Sequence, residues 1–115
     1  MMAIYSDFKG LNSEVATFKC NSSVTEAGQL VKLVGSGMVG KCTAGDQPIG
    51  VVVNVRNGFA AVAVRGFVEV AHDGTVTVGY RSISASDDKT VKIDNTNGIR
   101  CLVLEAMNGK AGILL

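Results

Sequence analysis

From Ala27 to Leu115 the chain repeats one short phrase: a few β-branched or apolar residues, a glycine, then another such run. It reads Ala27-Gly28-Gln29-Leu30-Val31, Pro48-Ile49-Gly50-Val51-Val52-Val53, Gly58-Phe59-Ala60-Ala61-Val62-Ala63-Val64, Gly66-Phe67-Val68-Glu69-Val70, Gly74-Thr75-Val76-Thr77-Val78-Gly79 and Cys101-Leu102-Val103-Leu104-Glu105-Ala106. Runs this short, cut by glycine, are too brief for amphipathic helices and suit strands joined by tight turns. The phrase predicts an all-β chain, a small β-barrel or β-tulip-like body of short antiparallel strands. The spacing between phrases is irregular, which argues against a solenoid or propeller of fixed period.

The strands are expected near 29–34, 38–42, 49–55, 58–64, 67–71, 75–78, 90–93, 99–105 and 112–115. In the third of these, Ile49, Val51, Val53 and Val55 alternate with Gly50, Val52 and Asn54, so one face of the strand is wholly apolar. Asn57-Gly58, Asp73-Gly74 and Asn97-Gly98 carry the residues that tolerate the left-handed conformation of hairpin turns. The polar stretch Ser82 to Lys89 reads as a surface loop. No helix is expected, because the one candidate, Ser84 to Lys89, is short and built of poor helix formers.

Residues 1–24 differ from the body at 25–115. Apolar residues dot this lead segment without regular alternation, at Ile4, Tyr5, Phe8, Leu11, Val15 and Phe18. Half of the six aromatic residues fall here, and Glu14 to Cys20 has the make-up of a strand. An apolar-dotted segment ahead of a glycine-cut body reads as an extended N-terminal arm that packs on a partner or on its own barrel.

With 115 residues the chain is one domain's length, and it can bury about two-thirds of its unfolded surface without a metal or disulfide staple. Hydrophobic residues make up 47% and charged residues only 18%, so part of the apolar surplus is expected at a subunit or partner interface. The net charge of +1 comes from interspersed signs with no basic stripe, which gives nucleic-acid binding no support. Cys20, Cys42 and Cys101 form no paired spacing and are expected as reduced thiols. The first ten residues, with Asp7 and Lys9 and no apolar core, lack the pattern of a signal peptide, and no run reaches membrane-spanning length.

Catalytic chemistry finds little to stand on. The single histidine, His72, lies in Ala71-His72-Asp73-Gly74, a turn sequence, and one histidine with three scattered cysteines matches no zinc spacing. Gly35, Gly37 and Gly40 satisfy GxGxxG, but Thr43 to Pro48 would break the helix that a phosphate cradle requires. Asp87-Asp88-Lys89-Thr90-Val91 is similar to the modified-lysine hairpin of lipoyl-carrier domains, yet Ser82 to Ser86 lacks the apolar strand that should lead into it. No catalytic, metal or cofactor-binding residue is therefore assigned, and a lipoyl-carrier-like or small-ligand barrel, or a β-module of a tail or other larger assembly, stands as the alternative.

The ordered phrases resemble the head-decoration, or capsid cement, proteins of tailed bacteriophages. The elements that carry the likeness are Ala27 to Val31, Pro48 to Val51, Gly58 with Ala61 to Gly66, Thr75 to Tyr80, Val103 to Ala106 and the ending Gly112-Ile113-Leu114-Leu115. The resemblance implies a non-enzymatic structural protein without a cofactor. It would be made in the host cytoplasm and carried on the outer surface of the virion capsid. Its expected partners are the major capsid protein and two further copies of itself in a homotrimer at local three-fold axes, with no nucleic acid or membrane. The arm residues Ile4, Tyr5, Phe8, Leu11, Val15 and Phe18 are then the expected contacts to the capsid or to a neighbouring copy.

Overall fold

Side chains one residue apart on a strand point to opposite faces, and the alternating valines of this chain close into barrels for that reason. The computed structural model describes residues 13–115. Among them are nine strands and no helix: β1 (Ser13–Cys20), β2 (Leu30–Gly35), β3 (Met38–Lys41), β4 (Gly50–Arg56), β5 (Phe59–His72), β6 (Gly79–Ala85), β7 (Thr90–Ile93), β8 (Ile99–Met107) and β9 (Lys110–Leu114). The fold class is all-β, with small closed barrels.

Pairing runs β1-β3-β2-β4-β5 and returns from β5 to β1, closing a five-stranded ring. It then runs β5-β7-β6-β8-β9 and returns from β9 to β5, closing a second. The 14-residue β5 is shared: Phe59 to Gly66 pairs with β1 and β4, and Phe67 onward pairs with β9 and β7. Gly66, at φ 93°, marks the change of barrel inside this strand. The two runs expected at 58–64 and 67–71 are thus one strand, because Gly66 redirects the chain without ending the ladder.

The rings follow one path. In each, the first strand pairs parallel with the third and antiparallel with the fifth, and every remaining pair is antiparallel. The sheet is therefore mixed, where antiparallel strands alone were expected. Lys19 opposite Met38 becomes Ala71 opposite Thr90, and Val31 opposite Lys41 becomes Ile83 opposite Ile93, each 52 residues on. Val52 opposite Val62 becomes Val103 opposite Ile113, 51 residues on, with a bulge directly after both Val52 and Val103. The turns match as well: Asn57-Gly58 and Asn108-Gly109 both hold positive φ at the two central positions, the geometry in which a two-residue hairpin fits the strand twist. One register differs, since Val31 faces Gly50 whereas Ile83 faces Ile99. The chain is a topological duplication, although its glycine phrases have no fixed period.

Each barrel is filled from within. The first encloses Val24, Val31, Val39, Val52, Ala60 and Val62, and the equivalent residues of the second are Val76, Ile83, Val91, Val103, Ala111 and Ile113. Leu30, Cys42 and Ala63 of the first barrel point away from its core into the second. The seam is also hydrogen-bonded, Leu30 N–H to the Asp88 carbonyl at 2.7 Å, Gly45 N–H to the Ala85 carbonyl at 2.8 Å and Ala85 N–H to the Asp46 carbonyl at 2.8 Å. Gln29, 2% exposed, accepts from the Thr25 and Glu26 amides and donates to the Ser23 carbonyl and the Asp88 carboxylate, so its whole amide is satisfied across the seam.

Two expectations need correction. Residues 75–78 form no strand: the Asp73 carboxylate accepts from the Thr75 amide and hydroxyl, the Thr75 hydroxyl accepts from Ile93 N–H, and Val76 plugs the second core from a loop. The stretch read as a loop from Ser82 instead begins inside β6, where Ile83, Ser84 and Ala85 are buried and the Ser84 hydroxyl donates to Asp94 at 2.8 Å.

Candidate interaction surfaces

Of the six residues expected at an interface, two are among the described residues. Ile4, Tyr5, Phe8 and Leu11 lie outside the described residues. Val15 and Phe18 lie on β1, which pairs along its length with β5. Val15 points outward and is 51% exposed, whereas Phe18 turns inward and packs on the first core.

His72 ends β5, its Nδ1 accepting from Gly74 N–H at 3.0 Å, and its Nε2 is buried with no partner among the described residues. Burial pushes the Cys42 thiol up to about 12, with the Asp46 carboxylate adding to the shift, and burial also raises Cys101. Both are poor nucleophiles, and the three cysteines stand as free thiols. Among the described residues no group of His, Cys, Asp and Glu is placed to hold a metal ion, and no helix is long and apolar enough to cross a membrane. Gly35, Gly37 and Gly40 belong to the β2–β3 hairpin, with no helix N-terminus behind them. Lys89 is exposed, its ammonium paired with Glu26 of the first barrel and its amide donating to Asp87 at 2.8 Å.

Among the described residues the space between the barrels is small. The void between Leu30, Pro48 and Val51 of one barrel and Val68, Val70 and Ile113 of the other measures about 10 Å³, barely room for one water. Larger spaces are open grooves on the outside. One of about 370 Å³ lies over the first barrel between Thr17, Asn54, Arg56 and Phe59. Another of about 480 Å³ lies over the second, where Arg81, Ser82 and Asn95 surround Tyr80, and the Arg100 guanidinium sits 5.6 Å from the Tyr80 ring centre.

Large apolar side chains are exposed unevenly: Val15, Leu33, Val34, Val53 and Phe59 on the first barrel, Val78, Tyr80 and Met107 on the second. The sequence reading missed Phe59 as a surface residue. Its signal was present, since Ala60 and Val62 alternate with it and a strand that buries those two turns Phe59 outward. Charged groups on the same outer faces stand apart. The only ion pairs among the described residues are Lys32–Asp46, at 2.7 Å, and Lys89–Glu26. No protein-family model matches the chain, and neither does any curated protein.

Proposed function

We propose that this chain is a structural virion protein that binds the outside of a phage capsid, stabilises the lattice of the major capsid protein and acts there as a trimer. The observation that carries the reading is that the chain's own side chains fill both barrels, which leaves the outer surface as the place of function. The ordered phrases shared with head-decoration proteins supply the partner, and the exposed apolar side chains on a thinly charged surface supply a means of contact. In this reading the chain has no enzymatic role, needs no cofactor and resides on the virion surface. Residues 1–12 contribute Ile4, Tyr5, Phe8 and Leu11 as capsid anchors, each adding about 1.5–3 kcal/mol if fully buried against a partner.

Co-sedimentation with undecorated, expanded heads tests the reading. The full chain is expected to pellet with heads and raise their resistance to heat. A chain lacking residues 1–12 is expected to keep its β-sheet circular dichroism and lose most of the binding. Failure of the full chain to bind heads would contradict the proposal, and undiminished binding by the truncated chain would contradict the role of the arm.

A further inference from the structure

The two barrels share one topology, and their corresponding outer faces carry charge clusters of opposite sign, set two residues apart along the strands: the strict counterparts of Lys19, Arg56 and Phe59 are Ala71, Met107 and Lys110. On the first barrel Lys19 of β1 and Arg56 of β4 both stand in register with Phe59 of β5, one on each side. Phe59 is 47% exposed, and both cations are exposed and lack an ion-pair partner among the described residues. On the second barrel Glu69 of β5 and Glu105 of β8 both stand in register with Gly112 of β9, again one on each side. Neither carboxylate has an ion-pair partner among the described residues. The Phe67 ring, half-buried, comes within 2.8 Å of where a Cβ of Gly112 would stand, so an aromatic ring packs over the glycine that Glu69 and Glu105 flank in register.

Each face is thus an aromatic ring bracketed by two like charges. In each the charges are carried by strands two places apart, a span of roughly 10 Å at the backbone. The signs are opposite. We propose that the first-barrel face of one copy docks on the second-barrel face of another, Phe59 lying against Phe67 and Gly112 while Lys19 and Arg56 meet Glu69 and Glu105. Lys110, two residues before Gly112 on the same side of β9, stands beyond the carboxylate row, level with Ala71 and Met107. It sets the direction in which the cations must approach, because a docking shifted toward it would oppose like charges. The contact joins different patches, so it is heterologous and closes into a ring when the rotation between copies completes a turn. The trimer proposed above would be such a ring. The contact itself belongs to the free chain and needs no capsid.

Sedimentation velocity on the full chain at rising concentration tests this, beside two double reversals, Lys19→Glu with Arg56→Glu and Glu69→Lys with Glu105→Lys. The wild type is expected to associate, and to do so less as salt is added. Each double reversal is expected to weaken association about a hundredfold or more, since like charges then face each other. Combining all four changes in one chain restores opposite signs and is expected to restore association. Should a reversal alter the circular dichroism, Glu69→Gln with Glu105→Gln reads the same loss without a new charge. A wild type that stays monomeric throughout, a reversal without effect, or a folded fourfold variant that stays monomeric would overturn the proposal. Head binding is measured separately: its failure leaves this contact standing, and monomers that still bind heads refute this contact alone.

Discussion

At six equivalent positions the first barrel encloses Val24, Val31, Val39, Val52, Ala60 and Val62, while the second encloses Val76, Ile83, Val91, Val103, Ala111 and Ile113. Two valines have become isoleucines, each extra methylene adding about 0.8 kcal/mol when buried. The second core also takes in Leu30, Cys42 and Ala63 from its neighbour. On the outside the balance is reversed, with five large apolar side chains exposed on the first barrel and three on the second. The same path has been given a heavier interior in one copy and a stickier exterior in the other. Topology here fixes the two closed rings, and side-chain choice divides stability from contact between them.

The largest effect expected from this comparison is at the cores. Ile113→Ala should cost about 2–5 kcal/mol, because it empties a site buried on every side. Its counterpart Val62→Ala should cost about 1.5–3 kcal/mol. Chemical denaturation of both variants checks the order, and equal losses would remove the distinction between the cores.

Next comes Gly50, whose counterpart across β4 and β8 is Cys101 by the registers Val51–Ala63 and Leu102–Leu114. A Cβ at Gly50 would stand 2.3 Å from the Ala63 carbonyl oxygen and 2.7 Å from Val62 Cγ1. Gly50→Ala should therefore cost about 1–3 kcal/mol by forcing β4 from β5, whereas Cys101→Ala, which only removes a sulfur, should cost about 1 kcal/mol. Thermal melting of the two variants decides whether the seam makes the first barrel the tighter of the pair at this position.

A smaller effect concerns Asp46, a seam residue of the first barrel. A hydrogen bond from the Lys32 ammonium, then those from the Thr43 amide and hydroxyl, hold its carboxyl down to about 2. Its folded value lies below the unfolded value of about 3.9. The stability it contributes is therefore present above about pH 4 and is lost as pH falls through about 2. Asp46→Asn should flatten the melting temperature between those limits, and an unchanged slope would show that other carboxylates set it. The smallest effect is at Lys89, where the pair with Glu26 is exposed on both sides. Lys89→Ala should leave the melting temperature unchanged, and the wild-type chain should show no covalent adduct by intact mass.

Much of this was legible in the residues. Asn57-Gly58 announced its hairpin because the side chain that tolerates left-handed φ and the residue without a Cβ stand together between apolar runs. The strand at Gly50–Arg56 was legible from its run of β-branched residues, but not its faces: the bulge after Val52 breaks the expected alternation, burying Val52 and exposing Val53. β6 was not legible, because its buried face holds only Ile83 and Ala85, and the partner that makes Ser84 tolerable, Asp94, lies ten residues on. Thr75-Val76-Thr77-Val78 has the strand pattern, yet the local bonds of Asp73 and Thr75 hold it as a loop. The duplication was hidden because few equivalent residues are identical, among them Val39 and Val91, Val52 and Val103, and Asn57-Gly58 and Asn108-Gly109, while other glycines of the phrases differ between the halves, as Gly50 and Cys101 do. The opposed outer faces were invisible in one dimension, since Lys19, Arg56 and Phe59 meet only through strand register.

The most direct test of two closed barrels joined through β5 is nuclear magnetic resonance of the backbone, read for contacts between strands. Two closed rings predict parallel-strand contacts between Lys19 and Met38 and between Ala71 and Thr90, together with antiparallel contacts from β5 to β1 at Phe18–Ala60 and from β5 to β9 at Val70–Ala111. Finding all four would establish both rings on one shared strand; absence of either parallel contact in the folded protein would contradict the duplication.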